Sequence, residues 1–180
     1  IGVGMTKFEK PGAKDWDYPD MAREAGEAAL KDAAIEYTEV NQVVAGYVYG
    51  DSTCGQRATY GLGLSGVPVY NVNNNCATGA TALFLANQLV EGGMADCVLA
   101  LGFEKMQTGS LQMGAQDRQH PLGRHIQQMA TLRGMAQAPP AVQFFGNAAM
   151  EHVTVGEEMV CRWAKDFFSL WKSAGDVQKN

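Results

Sequence analysis

Apolar positions recur along this chain with two different periods, and their alternation predicts a layered architecture. Val43, Val44, Tyr47 and Val48 form one strand candidate, and Val67 to Val72 form another. Cys97-Val98-Leu99-Ala100-Leu101 is a continuous apolar run, as expected where both faces of a sheet are covered. Ile1-Gly2-Val3-Gly4-Met5 reads as a short, glycine-laced first strand. Between these runs the period changes. Met21, Ala22, Ala25, Ala28, Ala29 and Ala33 recur at helical spacing. Asp17 is placed to cap that helix, with Pro19 in its first turn. Glu24, Glu27 and Lys31 fall on the opposite, solvated face, with Glu27 and Lys31 spaced as an i,i+4 pair. A polar loop from Gly50 to Arg57 precedes a short helix expected over Ala58 to Leu64. Cys76 to Gly92 carries a longer helical pattern that is apolar nearly all round, through Leu83, Phe84, Leu85, Ala86, Leu89 and Val90. Such a helix is buried within a domain or between domains. Strand and helix thus alternate, which argues an α/β layered fold with a mainly parallel sheet.

After Glu104 the texture changes. Residues 105 to 140 are rich in Gln, Gly and Met and carry little strand pattern. Helical segments are expected near His120 to Arg133 and Val142 to His152. Val160, Trp163, Phe167, Phe168 and Trp171 form an i, i+3/i+4 stripe that reads as a packing face. The expected organisation is therefore an α/β half-domain over residues 1–104 and a mostly helical segment over 105–180.

Composition narrows the chemistry. The 180 residues are long enough to bury a full core. Hydrophobic content of 46% with 18% charged residues is ordinary for a globular chain. A net charge of -5 with no basic patch argues against nucleic acid or an anionic membrane surface as partner. An anionic ligand such as CoA would need only local positive charge. Cys54, Cys76, Cys97 and Cys161 are widely spaced, with no C-x-x-C pair and no Cys/His cluster, so no metal site is expected. No apolar run reaches membrane-spanning length and none resembles a secretory signal, so no membrane insertion is expected and a reducing intracellular compartment is. The chain opens inside a strand pattern without an initiator methionine, as a fragment would. Its last residues, Val177-Gln178-Lys179-Asn180, are not a Ser-Lys-Leu-type peroxisomal tail.

Cys76 is the candidate reactive group. It stands where the strand candidate ending at Val72 turns into the long helix. The first free N–H groups of a helix point at such a position and favour a thiolate. The local pattern fits a buried structural cysteine at a helix start equally well. A helix terminus contributes roughly 0.3–1 kcal/mol. A nucleophile here therefore also needs a base, normally a histidine, brought in from elsewhere.

Asn73-Asn74-Asn75-Cys76-Ala77-Thr78-Gly79 resembles the nucleophile motif of the thiolase superfamily, and most closely its SCP2-thiolase branch. Three further stretches carry the resemblance in the same order: Val3 to Phe8, Gly46 to Arg57, and Ala100 to Met106. It covers residues 1 to 113 well and continues more weakly through Phe144-Phe145-Gly146. The resemblance implies a thiolase half-domain of βαβαβ type followed by part of a helical loop domain. It implies that Cys76 is acylated by a 3-ketoacyl-CoA and passes the acyl group to CoA. No metal or redox cofactor is implied, CoA and acyl-CoA being substrates. It also implies a homodimer for a full-length parent, in a peroxisome or mitochondrion. The departures are equally specific. A full thiolase has a second, similar half that supplies the activating histidine and a second acid/base cysteine. No His-Asp-Cys-Phe or Asn-Glu-Ala-Phe segment occurs here, and Cys161-Arg162-Trp163 is not a Cys-x-Gly motif. Gln119-His120-Pro121-Leu122-Gly123 looks like a family string but lies in the wrong region and reads as a chance match. Cys54 and Cys97 are taken as structural, and His125 and His152 as helix-surface residues. A non-catalytic thiolase-like protein that binds acyl-CoA or a partner chain is the alternative reading.

Overall fold

The structure is a computed structural model and describes residues 1–110, 117–121, 123, 124, 127, 128 and 131. The chain divides into two compact units, Ile1–Met113 and Gly114–Asn180. In the first unit, α1 spans Tyr18–Ala33, β1 Gln42–Gly46, α2 Cys54–Thr59, β2 Val69–Val72, α3 Thr78–Glu91 and β3 Val98–Gly102, with a 3-10 turn at Tyr37–Glu39. From β1 onward this is a βαβαβ unit. The strands form one parallel sheet in the order β2-β1-β3. Register places Val44 beside Tyr70 on one side and Ala100 on the other.

Pleating divides the apolar strand residues between two faces. Val43 and Ala45 pack with Leu30, Leu62, Val69 and Leu99. Leu101 continues that face against Ala22 of α1 and Ala58 of α2. Val44 points the other way and packs with Ala82 and Ala86 of α3, joined by Val72, Val98 and Ala100. The sheet is thus covered on both sides, as its continuous apolar runs require. Val43 and Val44 are essentially without solvent contact, and burying each contributes about 1.5–3 kcal/mol.

α1 begins as its sequence dictates. Tyr18 N donates to Asp17 Oδ1 at 2.8 Å, and Asp17 N donates to Asp20 Oδ2 at 3.0 Å, which closes a capping box. Its far end is less comfortable: Ala34 takes a left-handed conformation, φ 57°, to turn the chain out of the helix.

Several expectations are corrected. Ile1 to Met5 is not a strand. Gly2 and Gly4 lie so close to α1 that a Cβ on either would run into Ala29 and Ala25 carbonyls, and Val3 N donates to Asp32 Oδ2 at 2.9 Å. Their missing side chains favour this contact with the helix over a place in the sheet. α2 starts at Cys54, four residues before the expected helix. Thr53 makes the early turn with φ 66°, and Gly61 and Gly63 stop the helix from running on to Leu64. α3 starts at Thr78 rather than Cys76. Glu27 and Lys31 form no ion pair, and Lys14 reaches Glu24 at 2.9 Å instead. An exposed i,i+4 pair contributes only about 0.2–0.5 kcal/mol, so nearby alternatives compete. Of the helix expected over His120 to Arg133, Gly123, Arg124, Gln127, Gln128 and Thr131 are helical. The Val142 to His152 segment, the Val160 to Trp171 stripe, and His125, His152 and Cys161 lie outside the described residues. No helix among the described residues is long and apolar enough to cross a membrane.

Candidate active site

The C-terminal ends of the three parallel strands are stitched together. Tyr47 N donates to Val72 O at 3.4 Å, and Phe103 N donates to Gly46 O at 3.1 Å. Open α/β sheets place their chemistry at this end. One strand-end glycine, Gly46, makes room for the start of α3, and a second, Gly102, lies against it in ordinary contact. A Cβ at Gly46 would stand 2.8 Å from Thr78 Cγ2 and 2.9 Å from Thr78 O. A Cβ at Gly102 would meet Gly79 Cα at 3.5 Å. The first turn of α3 therefore rests on the backbone of β1 and β3.

The asparagines before Cys76 build the turn that carries it. Asn75 adopts φ 51°, a left-handed conformation that asparagine tolerates better than most residues. Its N–H donates to Asn73 Oδ1 at 3.0 Å. Thr78 Oγ1 accepts from Asn74 N at 2.8 Å and donates to Asn75 O at 2.6 Å. Asn74 Nδ2 donates to Thr81 Oγ1 at 2.9 Å. Cys76 follows the left-handed residue and is exposed, directly before the N-cap Ala77. Ala77 offers no side-chain cap at the head of α3.

A second feature flanks the same strand ends. Glu104, just beyond β3, accepts from Val48 N and Tyr49 N, both at 2.9 Å. Its carboxylate ties the loop leaving β1 to the segment leaving β3. Phe103 lies stacked between Tyr18 and Tyr47, with ring centroids 5.2 and 5.1 Å away. These residues border a cleft of about 510 Å³ lined by Tyr18, Tyr49, Asp51, Cys54, Arg57 and Lys105, among others. Burial, then a hydrogen bond with the Cys54 thiol, pushes the Tyr18 phenol up to about 12. Burial likewise raises Tyr47, whose hydroxyl donates to Asp51 O at 2.8 Å. The cleft's charges largely cancel: Lys105 lies 3.5 Å from Asp17, and Arg57 sits over the Tyr18 ring. Cys76 does not line this cleft.

The other described cysteines sit in different settings. Cys54 is buried at the start of α2. Cys97 is half-buried ahead of β3, where Asn41 Oδ1 accepts from Asp96 N and Cys97 N. Asn71 was not singled out by sequence, yet Asn71 Oδ1 accepts from Gly55 N at 2.9 Å and Asn71 Nδ2 donates to Gln56 Oε1 at 2.8 Å. These bonds fasten α2 to β2 one strand-face away from the Cys76 turn. Asn71, Thr78 and Glu104 escape sequence reading because their partners are mainly backbone groups, which leave no residue pattern. Among the described residues, no three His, Cys, Asp or Glu side chains gather as a metal site would require.

Comparison of the sequence with known proteins points to one family. The thiolase N-terminal domain matches residues 1–158. Sterol carrier protein 2 of Gallus gallus is 61% identical over 154 residues, which are 85% of this chain and 28% of that protein. Non-specific lipid-transfer protein-like 2 of Caenorhabditis elegans is 48% identical over 157 residues, 85% of this chain and 38% of that protein. Among solved structures, a β-ketoacyl-[acyl-carrier-protein] synthase III from Thermus thermophilus superposes with a TM-score of 0.47 at 26% identity, covering 57% of this chain and 33% of that one. The chain thus spans well under half the length of these curated relatives. On the extent of the domain match and the level of these identities, the chain belongs to the thiolase family and corresponds to its N-terminal half.

Proposed function

We propose that this chain is the nucleophile-bearing half of a 3-ketoacyl-CoA thiolase-type acyltransferase, with Cys76 as the nucleophile. The observation that carries this reading is the placement of Cys76. It is exposed on a left-handed turn between β2 and α3, at the C-terminal end of a parallel sheet. In the proposed reaction, Cys76 Sγ attacks the C3 carbonyl of a 3-ketoacyl-CoA. The C2–C3 bond breaks, the acyl group stays on sulfur as a thioester, and the departing acetyl-CoA carbanion takes up a proton. The thiol of a second CoA then attacks the thioester, releasing shortened acyl-CoA and restoring Cys76. The backbone N–H of Cys76 is assigned to the tetrahedral oxyanion, where one such donor contributes about 2.7–4 kcal/mol. The proton-transfer groups come from a second half of the parent protein, since these 180 residues contain no His-Asp-Cys-Phe segment. The parent is proposed to act as a homodimer on CoA thioesters in a peroxisome or mitochondrion.

Incubation with acetyl-CoA or iodoacetamide, followed by peptide mass spectrometry, tests the nucleophile. Modification concentrated on Cys76 is expected. Modification spread equally over the four cysteines would remove its privileged role. A second reading is a non-catalytic chain that binds acyl-CoA or a partner. Tight CoA-ester binding without turnover by the full-length parent would establish it.

A further inference from the structure

We infer that Glu104 is a positioning residue for the Cys76 turn. This rests on the thiolase reading above and adds a residue to it. The inference starts from an unusual use of a carboxylate. Both its oxygens accept from consecutive backbone N–H groups, Val48 N on Oε2 and Tyr49 N on Oε1, each at 2.9 Å. No Lys, Arg or His lies within ion-pair distance of Glu104 among the described residues. Its charge is therefore spent on the backbone, where charge-assisted hydrogen bonds are about twice as strong as neutral ones.

The location gives this bond its consequence. Val48 and Tyr49 stand two and three residues beyond Gly46, and Glu104 stands two beyond Gly102. Gly46 and Gly102 are the two backbone surfaces that Thr78 and Gly79 rest on. Thr78 in turn holds the turn of Asn74 and Asn75 through its hydroxyl. The Glu104 carboxylate thus closes the strand ends immediately past the floor of α3. With Phe103 N on Gly46 O and Tyr47 N on Val72 O, it completes a run of bonds from β3 through β1 to β2. β2 leads directly into Asn73 and Cys76. Without the carboxylate, two amides lose their acceptor and the floor can spread. Small displacements of a reacting group are costly to rate while leaving remote binding contacts intact.

The test uses the full 180-residue chain and its Glu104→Gln and Glu104→Ala variants. Acylation of Cys76 by acetyl-CoA is followed by peptide mass spectrometry over a range of acetyl-CoA concentrations, with protection of buried Cys54 from alkylation as the check on folding. Glu104→Ala is expected to lower the maximal acylation rate roughly ten- to a hundredfold, with half-saturating acetyl-CoA unchanged. Glu104→Gln, which keeps one acceptor oxygen, falls between. A parental rate in Glu104→Ala with Cys54 protected overturns the inference. Where Glu104→Ala exposes Cys54, Glu104→Gln decides, and a parental rate there overturns it. Failure of the 180-residue chain to be acylated, for want of the second half's base, leaves the thiolase reading to the iodoacetamide test above. Hydrogen exchange then decides on Glu104 alone: faster exchange over Asn73 to Thr78 in Glu104→Gln supports it, and unchanged exchange overturns it.

Discussion

Cys76, Gly46 and Tyr18 show how single residues set local chemistry. Cys76 is exposed and makes no packing contribution to the core. Cys76→Ser is therefore expected to abolish acylation at residue 76 while leaving the urea unfolding midpoint in place, measured on the same preparation. Gly46 is the opposite case. A methyl group there enters the space of Thr78, and forcing atoms into a packed contact costs about 1–3 kcal/mol. Gly46→Ala should lower stability by that amount in a denaturant titration and slow Cys76 acylation as α3 is pushed off its floor. Tyr18 adds a pH dependence. Its folded-state value, about 12, lies above the ordinary 10.0. The folded protein thus holds this proton more tightly than the unfolded chain does. The stability it contributes is complete below pH 10 and is lost as pH rises towards 12. The unfolding midpoint should fall across that window, and the fall should be shallower in Tyr18→Phe.

At the scale of elements, α1 and α3 follow their sequences to different degrees. The Asp17-Tyr18-Pro19-Asp20 start of α1 was legible because capping needs only near neighbours. Its C-terminal end was not, since nothing in the sequence announces a left-handed alanine at residue 34. That conformation costs an alanine roughly 1–2 kcal/mol, partly offset by the entropy a glycine would lose, about 0.5–1 kcal/mol. Ala34→Gly should therefore stabilise the chain by about 0.5–1 kcal/mol in thermal or urea unfolding. α3 was recognisable as a helix from its apolar residues, but its true start was displaced by two positions. Cys76 and Ala77 are held in the turn by the Thr78 hydroxyl and the Asn73 side chain, which bind backbone groups of Asn74 and Asn75, and by the Asn74 side-chain amide, which donates to the Thr81 hydroxyl.

For the whole molecule, the uncovered surfaces matter most. β3 is an edge of the sheet among the described residues. α3 buries Ala82 and Ala86 against the sheet but leaves Leu83 64% and Phe84 61% exposed, with Val90 exposed on the same helix. An unpaired strand edge and an apolar helix face both favour self-association. The chain is expected to scatter light increasingly with concentration and to melt irreversibly. Substituting Leu83 and Phe84 together by Lys should reduce the scattering with little loss of stability, because neither side chain is in the core. A sharp, reversible melt of a monomeric chain would contradict this expectation.

The sequence by itself determined the alternation of strands and helices, the two-sided burial of the sheet, the capping of α1 and the place of Cys76 between β2 and α3. Each of these depends on residue type at fixed local spacing, which hydrophobic periodicity and turn chemistry expose. Only the tertiary structure decided that Gly2 and Gly4 bring the first residues onto α1 rather than into the sheet. It alone joined Glu104 to Val48 and Tyr49 across more than fifty residues, and set Gly46 and Gly102 beneath the first turn of α3. These are contacts to backbone atoms, which every residue possesses, so no pattern of side chains could announce them. Cys76 was visible from the start, whereas the floor and the bonds that hold its turn appear only when the three strand ends meet.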